Sequence, residues 1–227
     1  MITHKFTKTN EVDIEVNGIR YNSKRDFGLA IGNTDYLKEP IEDESNLVFV
    51  PGLPRPLDMS DDVFGETVYK YREIEIEFGG IRRPEDWDDM ISNFRNLFEG
   101  RNVKIWFKTD PEWYWIGKAR VEEFVHRRAL GEFTFRVPYA DAYKHREQNL
   151  QIQTTASGTK VLLENTRQAV MPVITTDAAI TIQVGTNTIS LTAGTWENTA
   201  LLLKMGQTEW MIRGAANVTI NYIEGSL

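Results

Sequence analysis

Cysteine is missing from this chain of 227 residues. Its absence excludes disulfide bonds, thiolate metal sites, iron–sulfur clusters and cysteine nucleophiles. No run of about 18 uncharged apolar residues occurs, so the sequence predicts no transmembrane helix. Residues 1–6 hold one lysine and no apolar core, so no secretory signal is expected there. The composition, with 41% hydrophobic and 26% charged residues, is typical of a globular protein.

Motifs for catalysis are also missing. None of the seven serines lies in Gly-x-Ser-x-Gly, the motif of many serine nucleophiles. The phosphate-binding patterns Gly-x-x-x-x-Gly-Lys and Gly-x-Gly-x-x-Gly do not occur either. The three histidines (His4, His126 and His145) lack metal-ligand spacing, and we expect them to face solvent. Adjacent acidic residues, which usually lie at the surface, occur at 61–62, 88–89 and 122–123. The sequence therefore predicts no metal, no cofactor and no enzymatic activity.

Charge is distributed unevenly along the chain. Residues 1–150 contain 22 Lys/Arg and 28 Asp/Glu, whereas residues 151–227 contain only 4 and 5. Threonine shows the opposite trend, with 7 before residue 151 and 14 after it. Two surfaces of such different chemistry predict two domains, 1–147 and 148–227. The net charge of −7 argues against binding to duplex nucleic acid, which needs a concentrated basic face.

The first domain has patterns of both strands and a helix. Asn17-Gly18 between alternating runs predicts a hairpin, and residues 26–31 predict a short strand. At 73–78, isoleucines and a phenylalanine alternate with glutamates, which predicts a half-buried strand with an acidic outer face. A helix is predicted at about 84–99, because acidic residues follow Pro84 and apolar residues recur on one face at Trp87, Met90, Ile91, Phe94, Leu97 and Phe98.

An apolar, proline-rich segment interrupts this domain at about 47–66. Three prolines within 51–56 remove backbone donors and favour extended geometry, so this segment cannot be a central strand. We interpret it as an arm that projects onto a neighbouring subunit. The residues predicted to make this contact are Leu47, Phe49, Pro51, Leu53, Pro54, Leu57 and Phe64.

The second half has short apolar runs separated by Gly, Asn and Thr turns. Such regular short strands without helices predict a β-sandwich, of jelly-roll type. One of the predicted strands is 201–203, and the polar residues 144–148 are interpreted as a bridge between the domains. The predicted fold class is mainly β, with an α+β first domain that has one helix and an extended arm.

Four tryptophans have two possible interpretations. On a strand, Trp113 and Trp115 share one face, where a pair of indole rings could stack on sugar rings or on single-stranded bases. The alternative is that both belong to the core or to an interface. Trp196 and Trp210 in the second half leave the same two alternatives open.

An ordered set of short motifs runs through residues 10–145. They are Val-Asn-Gly-Ile at 16–19, Arg-Asp-Phe-Gly-Leu at 25–29, Val-Pro-Gly at 50–52, Leu-Asp at 57–58, the strand at 71–78, the helix at 87–97 and Phe-Thr-Phe-Arg-Val-Pro-Tyr at 133–139. In this order they resemble the distal tail proteins (Dit family) of long-tailed siphophages and prophages. The second domain resembles that family's C-terminal half through residues 171–174 and 218–222.

The resemblance implies a structural function. It implies a hexameric ring at the virion tail tip, in which the arm reaches the adjacent subunit and a galectin-like C-terminal domain projects outward. The implied partners are further copies of the chain, the tail tube protein, the tail-associated lysin or tip protein, and the receptor-binding protein. Two other functions remain open at this point: a carbohydrate-binding module that uses the tryptophans, and a glycoside hydrolase that uses an acidic pair.

Overall fold

The computed structural model describes residues 10–33, 35–42, 47–48, 51, 57–58 and 69–227. The chain divides into two compact units, Met1–Ala142 and Tyr143–Leu227. Both consist mainly of antiparallel strands, which confirms the predicted mainly β fold class. Among the helices of the described residues, none has the length and hydrophobicity that a membrane span requires.

The described part of the N-terminal unit contains two larger sheets and a small hairpin. Its strands are β1 (Val12–Val16), β2 (Ile19–Asn22), β3 (Ala30–Ile31), β4 (Ile41–Glu42), β5 (Leu47–Val48), β6 (Leu57–Asp58), β7 (Tyr69–Ile81), β8 (Asn102–Phe107), β9 (Trp115–Lys118), β10 (Arg120–Arg127) and β11 (Leu130–Ala140). Its helices are α1 (Ser23–Phe27) and α2 (Asp86–Phe98). One sheet has the order β2-β1-β8-β9, and the other has the order β10-β11-β7-β3, with β4 also paired to β7.

Strand β7 and helix α2 confirm the two most regular sequence patterns. The apolar residues at 74, 76 and 78 of β7 are buried, whereas the intervening glutamates lie on the opposite face. Helix α2 buries Trp87, Met90, Ile91, Phe94 and Phe98, and Leu97 packs beside them. A single hydrophobic core therefore joins the inner faces of both sheets to one face of the helix.

Residues 23–27 form helix α1, so the prediction of a strand over 26–31 was wrong for its first part. The Asn22 side chain caps the helix by accepting hydrogen bonds from the backbone N–H groups of Lys24 and Arg25. Gly28 ends it in the left-handed conformation (φ 62°), which glycine adopts without strain. The strand that follows, β3, covers only the end of the predicted range.

The C-terminal unit is a β-sandwich. Its elements are β12 (Lys144–Gln153), β13 (Thr159–Asn165), β14 (Val173–Thr176), β15 (Ile180–Val184), β16 (Asn187–Leu191), β17 (Gly194–Glu197), β18 (Gly206–Arg213), β19 (Asn217–Ser226) and the 3-10 helix η1 (Thr199–Leu201). The two sheets have the orders β12-β19-β14-β17 and β13-β18-β15-β16. Counted within this unit, the orders are 1-8-3-6 and 2-7-4-5, which is the jelly-roll arrangement of two Greek keys.

Two predictions for this half were wrong. The proposed polar bridge at 144–148 is the first half of β12, which pairs with β19 along its whole length, from Lys144 opposite Ser226 to Gln153 opposite Asn217. The division between the units therefore lies before β12, not after residue 147. The predicted strand at 201–203 begins inside η1, whose first turn is capped by the Asn198 side chain.

Candidate assembly interface

The predicted arm contains a β-hairpin. Strands β5 and β6 are antiparallel, with Leu47 opposite Asp58 and Val48 opposite Leu57. Within the described residues, neither strand pairs with any other sheet. Val48 is 46% exposed and Pro51 is exposed at the turn. Because an isolated two-stranded hairpin is only marginally stable in water, this arm needs a surface to pack on.

The predicted contact residues fall into two groups. Leu47 and Leu57 lie in the paired strands, and Pro51 lies in the connection between them. The others (Phe49, Leu53, Pro54 and Phe64) lie outside the described residues. The contact of these seven residues with a neighbouring subunit therefore stays a prediction.

An exposed apolar row lies at one end of the sheet β10-β11-β7-β3. Ile81 ends β7 and is 80% exposed, and its partner in register is Leu130, which is also exposed. Val125 on β10 is 57% exposed. Exposed apolar side chains on neighbouring strands are typical of contact surfaces, so this end of the sheet is a second candidate for assembly.

Trp115 provides no open ring face for a ligand. Its side chain is only 4% exposed, and the guanidinium carbon of Arg72 lies 4.3 Å from its ring centroid. Arg72 Nε donates to the Ala142 carbonyl oxygen at 3.1 Å, and burial lowers the pKa of Arg72. Trp113 is half-buried, so of the predicted stacking pair it has the more accessible ring. The core interpretation of Trp115 fits this geometry.

Two neighbouring aromatic rings are also covered by cations. The ring centroids of Trp106 and Tyr114 lie 5.0 Å apart. The guanidinium carbon of Arg20 lies 3.9 Å from the ring centroid of Trp106, and Lys104 Nζ lies 4.6 Å from that of Tyr114. Such cation–π contacts stabilise the sheet surface and occupy the ring faces that a sugar would use.

The tryptophans of the C-terminal unit differ in exposure. Trp210 is fully buried in the sandwich core. Trp196 is 39% exposed, and its indole N–H donates to the Thr192 carbonyl oxygen at 2.9 Å. Of these two, only Trp196 offers ring surface to a ligand.

The histidines and the acidic residues are the remaining candidate site residues of the sequence. No group of three or more His, Asp or Glu side chains in the part of the chain that is described could hold a metal ion. His126 is exposed and stacks on Phe124 with ring centroids 5.6 Å apart, whereas His145 is buried in β12, contrary to the prediction of a solvent-facing side chain. His4 lies outside the described residues.

A buried ionic cluster was missed from the sequence. Glu224 on β19 is 1% exposed and accepts hydrogen bonds from Arg146 at 2.9 Å and Gln148 at 2.8 Å. Burial, followed by the charge of Glu224, raises the pKa of the nearby Tyr222 hydroxyl, which donates to the Glu164 carbonyl oxygen. The sequence does show polar residues at the alternate positions 146 and 148. Their acidic partner Glu224 lies far along the chain, so the cluster could not be recognised from a local pattern.

The geometry defines a mainly β protein in which an α+β unit with a two-stranded hairpin precedes a jelly-roll sandwich. No protein-family model and no curated protein sequence matches the chain. One solved structure with the same fold is the Dit (gp 19.1) protein of phage SPP1, described as a paradigm of the hub adsorption apparatus in phages that infect Gram-positive bacteria. The TM-score is 0.52 and the identity 15%, over 95% of this chain and 99% of that one. At this identity the likeness shows a shared fold.

Proposed function

We propose that this chain is a distal tail protein, a structural hub that self-assembles into a hexameric ring at the tip of a phage tail. The observation that carries the proposal is the likeness to the SPP1 hub protein, which extends over both units and nearly the whole of both chains. If the two proteins shared only a widespread β-sandwich module, the likeness would cover only one of the two units. The ordered motifs in the first 140 residues support the same family.

The hairpin supplies a physical means of assembly. A protruding arm and a receiving surface on the next copy form a heterologous interface, which closes into a ring when its rotation divides the full circle. Strand addition or apolar packing on a neighbour would also cover the backbone edges and side chains that the isolated hairpin leaves exposed. The arm therefore connects subunits, and its function requires no chemical step.

The ring would occupy the junction between the tail tube and the receptor-binding apparatus. Its partners would be the tail tube protein on one side, and the tail-associated lysin or tip protein and the receptor-binding protein on the other. The C-terminal sandwich, with its weakly charged surface, would serve as the outward docking platform. In this proposal the protein is a non-enzymatic component of the virion.

Light scattering and native mass spectrometry of the purified chain test this proposal. A hexamer has six times the 26.1 kDa chain mass, about 157 kDa, and its mass should not depend on concentration over the micromolar range. Replacing residues 47–64 by a short Gly-Ser linker should give monomers with an unchanged far-UV circular dichroism spectrum. The control variant Ser92→Ala changes an exposed position of α2 and should assemble normally. A wild-type chain that stays monomeric at high concentration would overturn the proposal.

Carbohydrate binding is the second candidate function, and the exposed ring of Trp196 favours it. In that case the chain should be retained on a polysaccharide column, and Trp196→Ala should abolish retention. The control is Trp115→Phe, which changes a buried ring. Retention of a monomeric wild-type protein would favour this function over the ring.

A further inference from the structure

We propose that a cavity on the outer face of the sheet β10-β11-β7-β3 receives the arm of a neighbouring copy. This inference rests on the proposed ring, and it identifies the receiving surface. The cavity has a volume of about 300 Å³ and lies near the end of the sheet at which Ile81 and Leu130 pair. Its principal lining residues are Gly32, Gly79, Val125, Glu77, Glu123 and Glu132.

The strand register explains why a cavity exists at this point. Gly79 on β7 lies between Glu132 on β11 and Ala30 on β3, so the outer face carries no side chain at this position of β7. On β10 the register shifts between Glu122 and Val125 at a β-bulge, where Glu123 takes a positive φ of 53°. Bulges bend a strand and redirect its side chains, so the bulged strand forms a raised wall beside the glycine.

The cavity is continuous with exposed apolar surface. Val125 forms part of the wall and is more than half exposed. The pair Ile81 and Leu130 lies two residues further along β7 and β11 from the pair Gly79 and Glu132, and hence on the same face. An apolar segment lying across this face would bury all three exposed side chains.

The rim of the cavity is acidic. Among the described residues, Glu77, Glu123 and Glu132 form no ion pair. The contrast on the same sheet is Arg136, whose guanidinium lies 2.6 Å from Glu73 and 3.7 Å from Glu122. A ligand for the cavity should therefore be apolar and carry a positive charge.

The arm has this composition. Residues 47–57 are apolar or proline and glycine, with Arg55 as their one charged residue. Phe49 or Leu53 could fill the cavity while Arg55 meets the carboxylates at its rim. Charge complementarity of this kind fixes the register of an interface and speeds its formation. The occupant is therefore the arm of a second copy, and binding of the chain's own arm is an outcome that the test must separate.

Disulfide cross-linking tests the contact directly, because the chain has no cysteine of its own. The single variants Val125→Cys and Leu53→Cys, coexpressed with different tags and oxidised, should form a covalent dimer containing both tags. The double variant should give a ladder of linked chains up to six. The control pairs Leu53→Cys with Ser92→Cys, at an exposed position of α2, and should give no such dimer.

Each other outcome has a definite meaning. A double variant that forms only an internally linked monomer shows that the arm binds its own subunit and overturns the inference. Rings of wild-type mass without cross-links in either experiment also overturn it, while the proposed function stands. Monomeric wild-type protein contradicts the proposed function itself.

A charge exchange gives a second, independent measurement. Glu132→Arg and Arg55→Glu should each weaken assembly about tenfold, because each places like charges together at the rim. The double variant should recover most of the loss. Glu209→Arg is the control, since this exposed glutamate lies in the C-terminal unit. Equal assembly of all variants, with circular dichroism confirming their folding, would exclude this contact.

Discussion

The two units bury their sheets with different side chains. All eleven phenylalanines of the chain precede residue 136, in the N-terminal unit. Phe94 of α2 is at the centre of this aromatic core, with ring centroids within 6.0 Å of Phe27, Phe78, Phe98, Phe133 and Phe135. The core of the jelly roll is instead mainly aliphatic around Trp210. A few large rings allow one helix to hold two sheets together, whereas the sandwich needs only its two inner faces.

The two units also differ in the polar contacts between their surface side chains. The N-terminal unit uses ion pairs, such as Arg136 with Glu73. The jelly roll has ion pairs too, such as Lys160 with Glu209, but it also links strands through uncharged groups, with Asn149 donating to Asn221 at 2.6 Å and the hydroxyls of Thr175 and Thr195 3.1 Å apart. Charge provides specificity between proteins. Because 50 of the 59 charged residues precede residue 151, the first unit has the surface better suited to charge-selective contacts.

Phe94→Ala should have the largest effect on stability and should destabilise the N-terminal unit but not the jelly roll. Phe94 is fully buried, and the loss of a buried ring costs about 3–5 kcal/mol in similar cores. Calorimetry combined with hydrogen exchange on the full chain should show destabilisation of residues 10–142 while the jelly roll keeps its protection. Ser92→Ala on the exposed face of the same helix serves as the control. Equal loss of protection in both units would show that they unfold as one.

Glu224→Gln should have an intermediate effect, confined to the jelly roll. Its carboxylate is almost completely buried and accepts hydrogen bonds from Arg146 and Gln148, so neutralising it leaves the arginine without its buried counter-charge. We expect a loss of about 2 kcal/mol in the free energy of unfolding, measured by denaturant titration. Glu209→Gln, which removes a solvent-exposed pair with Lys160, should leave stability unchanged. Equal stability of both variants would contradict a stabilising role for the cluster.

Asp26→Asn should have the smallest effect and a distinct pH dependence. Hydrogen bonds from the Arg25 side chain and from the Asn22 backbone N–H lower the pKa of Asp26 from 3.8 to about 2. Because the folded-state pKa is depressed, the stabilisation is present above about pH 4 and is lost as the pH falls towards 2. The melting temperatures of wild type and variant should therefore differ at pH 7 and converge near pH 2. A difference that persists at pH 2 would argue against this ionic contribution.

Local patterns predicted the elements whose buried face can be recognised within a short stretch of sequence. Strand β7 and helix α2 were found because alternation and three-to-four spacing each identify a buried face within a few residues. The helix runs from Asp86 to Phe98, within the predicted 84–99. The jelly-roll type was likewise predicted from short strands and turns, although the order of the strands in the two sheets was not.

Elements that depend on distant partners were missed. Strand β12 has polar residues at the half-buried positions 146 and 148, and their hydrogen bonds to Glu224 on the paired strand β19 satisfy these polar groups. The cavity at Gly79 could not be predicted, because it results from a bulge on a different strand. The burial of Trp115 follows from Arg72, which lies on β7. These contacts involve tertiary packing that no local window contains.

The pairing of β12 with β19 has a consequence for modularity. Lys144 and Ser226 lie opposite each other, so the polypeptide enters and leaves the jelly roll at adjacent points. A domain with neighbouring termini can be exchanged as a cassette without rerouting the rest of the chain. A different sandwich, or a fluorescent reporter, could thus be grafted after residue 142 while the preceding unit keeps its own fold.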